Sequence, residues 1–175
     1  YEKKRLEENE VKNFIYEIKK KKIAGLNVTV PFKKTVIPYM DKLSYEAEKT
    51  QSVNTIILES DSLVGHNTDV GGFTRAVKTL SFDMKGKKIF ILGAGGVVPS
   101  IIYALNKMEV FDITISNRTK QKAKNLKNHF SELKVINWGS LPDFDVIINA
   151  TSLGLNKEII NLDFSKVGPD KLFFD

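Results

Sequence analysis

Apolar positions follow a helical period in some stretches of the chain and a strand period in others. Val11, Phe14, Ile15 and Ile18 fall at i, i+3, i+4 and i+7, which predicts a helix over residues 10–21 with one buried stripe. Asn9 is placed to cap its start, and Lys19 to Lys22 suit the negative end of its dipole. Leu26-Asn27-Val28-Thr29-Val30 alternates with period two and reads as a strand ending at Pro31. Residues 33–50 read as helix in pieces, broken near Pro38 and restarted at Ser44, a cap residue. Val53 to Leu58 and Leu63 to Asn67 are two short strands, and Glu59-Ser60-Asp61-Ser62 between them has the chemistry of a hairpin turn. After Gly71-Gly72, the residues Phe73, Ala76, Val77 and Leu80 predict a helix running to about Leu80.

Beyond the polar stretch Ser81 to Lys87 the pattern changes, and a second domain is expected to begin. It is organised around Lys88-Ile89-Phe90-Ile91-Leu92-Gly93-Ala94-Gly95-Gly96, a buried strand that the glycines turn sharply into the apolar run Val97 to Leu105. Such a turn brings backbone N–H groups close to a pyrophosphate at the positive end of the following helix. Pro99 fits the first helical turn, where its missing N–H costs nothing. Similar turns end strands in α/β proteins that bind no nucleotide, so the glycines alone leave both readings open. Val98 stands at the third position of the usual G-x-G-x-x-G, which predicts a slightly wider spacing of helix and strand.

From Lys88 the expected order is strand 88–92, helix 96–107, strand 111–115, helix 119–130, a weak strand at 134–136, strand 145–149 and a last strand at 172–174. That alternation predicts an α/β fold with a parallel, Rossmann-like sheet and helices on both faces. The chain is therefore expected to be two-lobed: an α/β domain over residues 1–69, then a linker helix and a dinucleotide-binding domain over 70–175.

Composition narrows the function. With 175 residues and 42% hydrophobic content the chain can form one large or two small domains with a real core. It opens on Tyr1 and a charged run and stops on the strand-like Lys171-Leu172-Phe173-Phe174-Asp175, so both ends read as cuts within a longer protein. The net charge of +6 raises the possibility of a nucleic-acid partner. The Lys residues, however, are spread over predicted helix faces with no aromatic-interleaved basic stripe, so an anionic small ligand is expected and nucleic acid is not. The absence of Cys rules out disulfides, thiolate catalysis and Cys-based metal sites. His66 and His129 are too few for a metal cluster. No stretch approaches the roughly 20 apolar residues of a membrane span and no signal peptide is evident, so no membrane partner and a cytoplasmic location are expected. Monomer and homodimer fit the letters equally.

In a dinucleotide fold the end of the second strand reads the adenosine ribose, and a carboxylate there selects NAD. Here Asn117-Arg118-Thr119 stands at that point with Lys120 and Lys122 next, and no acid. A guanidinium, a hydroxyl and ammonium groups suit a 2′-phosphate, which favours NADP. A plain helix cap at Thr119 is the alternative, although positive charge at a helix start opposes the dipole. Asn149-Ala150-Thr151-Ser152-Leu153-Gly154 follows another strand at the edge where such sheets bind ligands, and reads equally as a polar loop. In the first half, Asn27, Thr29, Lys33, Asn54 and Asp69 are the polar residues at strand ends. Reducing a ketone with hydride needs a proton donor for the nascent alkoxide, and Lys33 with Asp69 would be such a pair, although among 27 basic residues a surface lysine is the commoner reading from spacing alone. His66 could also titrate near neutrality, though a lone His is more often structural.

Taken together, six segments in order resemble the shikimate dehydrogenase family. Gly25-Leu26-Asn27-Val28-Thr29-Val30-Pro31-Phe32-Lys33 is similar to its N-V-T-x-P-x-K segment, Val53-Asn54-Thr55 to its V-N-T, and Gly65-His66-Asn67-Thr68-Asp69 to its G-x-N-T-D. Gly93-Ala94-Gly95-Gly96 is similar to its cofactor loop, Asn117-Arg118-Thr119 to its N-R-T, and Asn149-Ala150-Thr151-Ser152-Leu153-Gly154 to its N-A-T-S-x-G. The resemblance implies reversible, NADPH-dependent reduction of 3-dehydroshikimate to shikimate in chorismate and aromatic amino acid biosynthesis. It implies that Lys33 and Asp69 are the catalytic pair, with Lys33 the proton donor. Thr29, Asn54 and Asp69 would bind substrate hydroxyls. Gly93, Ala94, Gly95, Gly96, Ala150, Thr151 and Ser152 would contact the cofactor, with Asn117, Arg118, Thr119 and Lys122 on its 2′-phosphate. The family's N-terminal strand, with two serines that bind the substrate carboxylate, precedes Tyr1 and is absent. A later segment, with a Tyr near the nicotinamide and a Gln on substrate, would follow Asp175. Val97 and Val98 replace the small residues usual after the glycines. A quinate/shikimate dehydrogenase that also uses NAD, and a catalytically silent NADP-binding module, remain as alternatives.

Overall fold

The computed structural model describes residues 1–80, 82–154, 162–165 and 167–175. Two compact units emerge, Tyr1–Phe73 and Thr74–Asp175, each built on its own sheet. Ser81, at the head of the polar stretch that separates the two sequence patterns, lies outside the described residues.

In the first unit, helix α1 (Glu8–Lys19) buries Val11, Ile15 and Ile18, as the period demands. Its cap differs from expectation. The helix starts two residues earlier, Glu7 takes the cap position, and the Glu7 N–H donates to Glu10 Oε2 at 2.8 Å while Glu10 N–H donates to Glu7 O at 3.0 Å. Asn9 falls inside the first turn, where Glu8 and Glu10 complement the positive end of the dipole.

Strands β1 (Gly25–Asn27), β2 (Lys42–Leu43), β3 (Thr55–Glu59) and β4 (Ser62–His66) form a sheet in the order β1-β3-β4-β2. The predicted hairpin is present: Glu59 pairs with Ser62, and Ser60 and Asp61 both have positive φ, +46° and +64°. That is the geometry of a type I′ turn, whose twist matches the flanking strands. β1 is shorter than its alternation predicts. Val28 N–H still donates to Asn54 O at 2.7 Å, but beyond it the chain leaves the sheet. The two-residue β2, parallel to β4, has no signal in the letters. Helix α2 (Tyr45–Thr50) restarts after Ser44, whose Oγ accepts Ala47 N–H at 3.3 Å. Helix α3 (Asp69–Lys78) follows β4. Val11, Ile15, Ile18, Val36, Ala47 and Val53 are among the side chains that make one core between α1, α2 and the sheet.

The second unit is a parallel sheet of β5 (Ile89–Leu92), β6 (Ile113–Ser116), β7 (Lys134–Ile136), β8 (Val146–Asn149) and β9 (Leu172–Phe174), in the order β7-β6-β5-β8-β9. All four residues of β5 and of β6 are buried, as central parallel strands require. Ser116 is tolerated there because its Oγ donates to Asn137 O at 3.0 Å. Helix α4 (Val98–Lys107) links β5 to β6, and α5 (Lys120–Lys127) links β6 to β7. The predicted second helical layer is not seen among the described residues. The face carrying Phe90 and Leu92 is packed instead by Leu141, Phe144, Leu162, Phe164 and Val167, from irregular chain. Leu92 stands opposite Ser116 on one side and Asn149 on the other, so β5, β6 and β8 end level with each other. The strand order reverses on either side of β5, which makes this edge the switch point where open α/β sheets bind ligands. No helix among the described residues is long and apolar enough to cross a membrane.

Candidate active site

Three segments of the first unit converge on Asp69, the first residue of α3. Lys33 lies in the loop after β1, and its carbonyl accepts Val53 N–H at 2.8 Å, which fastens that loop to the chain entering β3. Its Nζ is 2.7 Å from Asp69 Oδ2, and the two side chains are 12% and 21% exposed. The other carboxylate oxygen, Oδ1, accepts from Asn54 Nδ2 at 2.8 Å. Asn54 is itself held: its Oδ1 accepts Thr68 N–H at 2.9 Å and Nδ2 also reaches Thr68 Oγ1 at 2.9 Å. A main-chain donor on Oδ1 forces Nδ2 toward the carboxylate. Both oxygens of Asp69 are thus occupied by donors, one of them charged, while a wall of the pair remains open to solvent. A largely buried ion pair is weak evidence for stability, but its short, charge-assisted bond presents an ammonium group in fixed orientation.

Thr29 stands apart from that network. It is exposed two residues past β1, with its carbonyl accepting Phe32 N–H at 2.9 Å. His66 Nε2 is 3.2 Å from Glu59 Oε1 across the hairpin and does not join the network either. Asn67 and Thr68, to which residue type assigns no role, lie at the junction. Asn67 is buried at the end of β4, and Thr68 grips Asn54. The available signal was a pair of polar residues closing an apolar strand just before a carboxylate.

In the second unit the three sequence-singled segments share one edge. Gly93 N–H donates to Ser116 O at 2.8 Å and Ala150 N–H to Leu92 O at 2.8 Å, so the glycine turn, Asn117 and Ala150 begin side by side. Gly93 has φ +107°, and a Cβ there would stand 2.6 Å from Ala150 O and 3.1 Å from Thr151 Cγ2. Only glycine fits. Gly95 is exposed, Ala94 and Gly96 are half-buried, and the turn leads into α4 with Val98 buried at its first position. Thr151 is locked by Asn149, whose Oδ1 accepts both Thr151 N–H at 3.1 Å and Thr151 Oγ1 at 2.6 Å, while Ser152 is exposed. At the end of β6, Asn117 Nδ2 donates to Thr119 O at 2.8 Å, and Thr119 takes the cap position of α5 without a side-chain cap bond. Arg118 and Lys122 are exposed, and no ion pair to either is present among the described residues. Lys120 differs, since its Nζ is tied to Asn137 Oδ1 at 2.6 Å. A backbone cradle that excludes any side chain, beside two unpaired cations and no acid, fits a phosphorylated dinucleotide.

Comparison with known proteins agrees with this geometry. Residues 1–56 match the family model described as shikimate dehydrogenase substrate binding domain, and residues 75–164 the model described as shikimate / quinate 5-dehydrogenase. The shikimate dehydrogenase (NADP(+)) of Pelagibacter ubique is 51% identical over 176 residues, covering all of this chain and 66% of that relative. The crystal structure of shikimate dehydrogenase from Aquifex aeolicus superposes with a TM-score of 0.87 at 35% identity, over 96% of this chain and 64% of that one. The ligand-free 5-ketofructose reductase of Gluconobacter superposes with a TM-score of 0.83 at 27% identity, over 97% of this chain and 65% of that one. The chain thus spans about two thirds of the length of the proteins it matches. The matched models cover both sequence patterns, and the chain belongs to the shikimate dehydrogenase family.

Proposed function

We propose that the protein containing this chain is an NADP-dependent shikimate dehydrogenase, which reversibly reduces 3-dehydroshikimate to shikimate. Residues 1–69 then form the substrate-binding and catalytic part, and residues 70–175 the NADP-binding part. The observation that carries the reading is the Lys33 ammonium held 2.7 Å from Asp69, whose second oxygen is fixed by Asn54 at 2.8 Å. The name of the Pelagibacter ubique relative supports both the substrate and the cofactor.

As a carbonyl oxygen gains negative charge, the Lys33 ammonium donates its proton to it. Asp69 holds and aims that ammonium until the moment of transfer. Asn54 prevents the carboxylate from rotating away. Both Nδ2 hydrogens of Asn54 are engaged by Asp69 and Thr68, so a substrate hydroxyl that reaches Asn54 displaces Thr68. Thr29, free of the network, is available to a second hydroxyl. In the second part, the amides of Ala94 and Gly95 cradle a pyrophosphate in the turn that Gly93 and Gly96 shape, the Gly93 N–H being spent on Ser116 O, and Ala150, Thr151 and Ser152 flank it. Asn117, Arg118, Thr119 and Lys122 take a 2′-phosphate. The bound nicotinamide supplies the hydride.

A spectrophotometric assay of the full-length protein tests this. The expected result is shikimate-dependent reduction of NADP⁺, with NAD⁺ slower. Equal rates with quinate and with NAD⁺ would establish the broader quinate/shikimate enzyme. Preferential reduction of 5-ketofructose would move the assignment toward the Gluconobacter enzyme's activity. Cofactor binding without oxidation of any of these would leave an NADP-binding module.

A further inference from the structure

Asn67 has a buried amide that the proposed chemistry does not use. The residue is 6% exposed. Its Nδ2 donates to Thr50 Oγ1 at 3.0 Å and to Ser52 O at 2.9 Å, and its Oδ1 accepts Val70 N–H at 3.2 Å. Thr50 Oγ1 spends its own hydrogen on Glu46 O at 2.7 Å, so toward Asn67 it accepts, and Val70 N–H can only donate. The amide therefore has one orientation. An aspartate of the same shape would set an acceptor against two acceptors, and an apolar side chain would leave buried polar groups unpaired.

The groups joined by this amide matter more than their number. Ser52 stands two residues before Asn54, and Val70 directly follows Asp69. Asn67 thus fixes the spacing of two segments, and the bond from Asn54 Nδ2 to Asp69 Oδ1 closes the same ring further along. Lys33 is tied in through Val53, which lies between Ser52 and Asn54 and donates its N–H to Lys33 O. The backbone of every member of the Lys33–Asn54–Asp69 set is anchored within two residues of an atom that Asn67 bonds, or through Val53 beside one.

We propose that Asn67 is a positioning residue for proton transfer: it sets Asp69 so that each carboxylate oxygen meets its donor, and through Asp69 it aims the Lys33 ammonium. The reaction served is the one proposed above, whereas the positioning concerns the protein alone. A merely structural role for Asn67 would lower the folded fraction and leave the chemistry of folded molecules unchanged.

The test uses full-length protein carrying Asn67→Ala, with Thr50→Val as a milder variant that removes one partner and Thr50→Ser as its restoring control. Folded fraction is read by thermal melting and NADPH affinity by titration. For folded Asn67→Ala, kcat is expected to fall roughly 10²-fold, the scale of an ångström misplacement, with NADPH affinity unchanged. The loss falls on kcat while the KM for shikimate changes far less, the signature of a misaimed proton donor rather than of a lost binding contact. Thr50→Val shows the same changes more weakly and Thr50→Ser reverses them. Loss of kcat only in proportion to unfolding, or an equal loss carried by KM, would overturn the proposal. A readout without turnover separates it from the enzymatic reading: acylation of Lys33 at fixed pH, followed by peptide mass spectrometry. Faster labelling in Asn67→Ala than in wild type supports the positioning role and equal rates overturn it, whether or not wild type oxidises shikimate.

Discussion

Around Asp69 the polar side chains already have protein partners: Lys33 and Asn54 on the carboxylate, Thr68 on Asn54. At the carboxyl edge of β5, β6 and β8, in contrast, the Arg118 guanidinium and the Lys122 ammonium face solvent without an ion-pair partner among the described residues, beside a turn that only glycine can make. The first arrangement is preorganised. A proton donor works when its geometry is paid for during folding rather than at the moment of reaction. The second is left open, and on the proposed function a phosphate arriving with its own acceptors would complete it and exchange water for charge-assisted bonds. Acid/base chemistry and anion binding thus impose opposite requirements on side-chain satisfaction.

Substitutions can break this contrast, and the largest effect is expected on the preorganised side. Asp69→Asn keeps the shape but removes the charge that holds Lys33, and steady-state kinetics should show kcat lower by roughly 10²–10⁴-fold, the range of general acid catalysis, with little change in NADPH affinity. Gly93→Ala should act on both fold and cofactor. Its φ of +107° and the 2.6 Å approach to Ala150 O leave no room, and urea unfolding should show a loss of about 1–3 kcal/mol from the strained backbone alone. Arg118→Ala should weaken NADPH binding by about 1.5–3 kcal/mol, roughly ten- to a hundredfold, while NADH binding measured by calorimetry stays as it was. The smallest effect belongs to Asp145, at the opposite edge of the sheet. The Lys88 N–H, and then Lys171, hold its carboxyl below the usual carboxylate range. A depressed folded value means that this stabilisation is present above the unfolded carboxyl value of about 4 and fades as pH falls through the folded one. Melting curves of wild type and Asp145→Asn should therefore differ at neutral pH and converge in acid.

Much of this was legible in the letters, for identifiable reasons. The strands β5, β6 and β8 are runs of buried branched residues, and such runs have few alternatives. The hairpin at Ser60-Asp61 showed as polar turn chemistry, although neither residue is the glycine or asparagine that marks a type I′ turn most clearly. Local patterns failed where distant partners decide. β1 stops early because the chain turns away from β3 once Val28 has made its bond to Asn54, and β2 exists only through its pairing with β4. The cap of α1 went to Glu7 because Glu10 could reach back to it, a reciprocal pair that a search for a single cap residue overlooks. Within the site, residue type made Lys33 and Asp69 only two among many charged groups and the family resemblance singled them out, and the structure brings their side chains together from segments 36 positions apart. Asn67 looked like the end of a strand. Its importance lies in bonds to Thr50, Ser52 and Val70 that no spacing announces.

The most direct measurement compares Lys33→Ala with wild type in one preparation of the full-length protein, reading shikimate turnover and NADPH affinity on the same samples. Turnover that collapses by at least about 10²-fold while NADPH binds as before is the expected result. Turnover that persists, or a parallel loss of turnover and binding, would contradict the assignment of Lys33 as the proton donor.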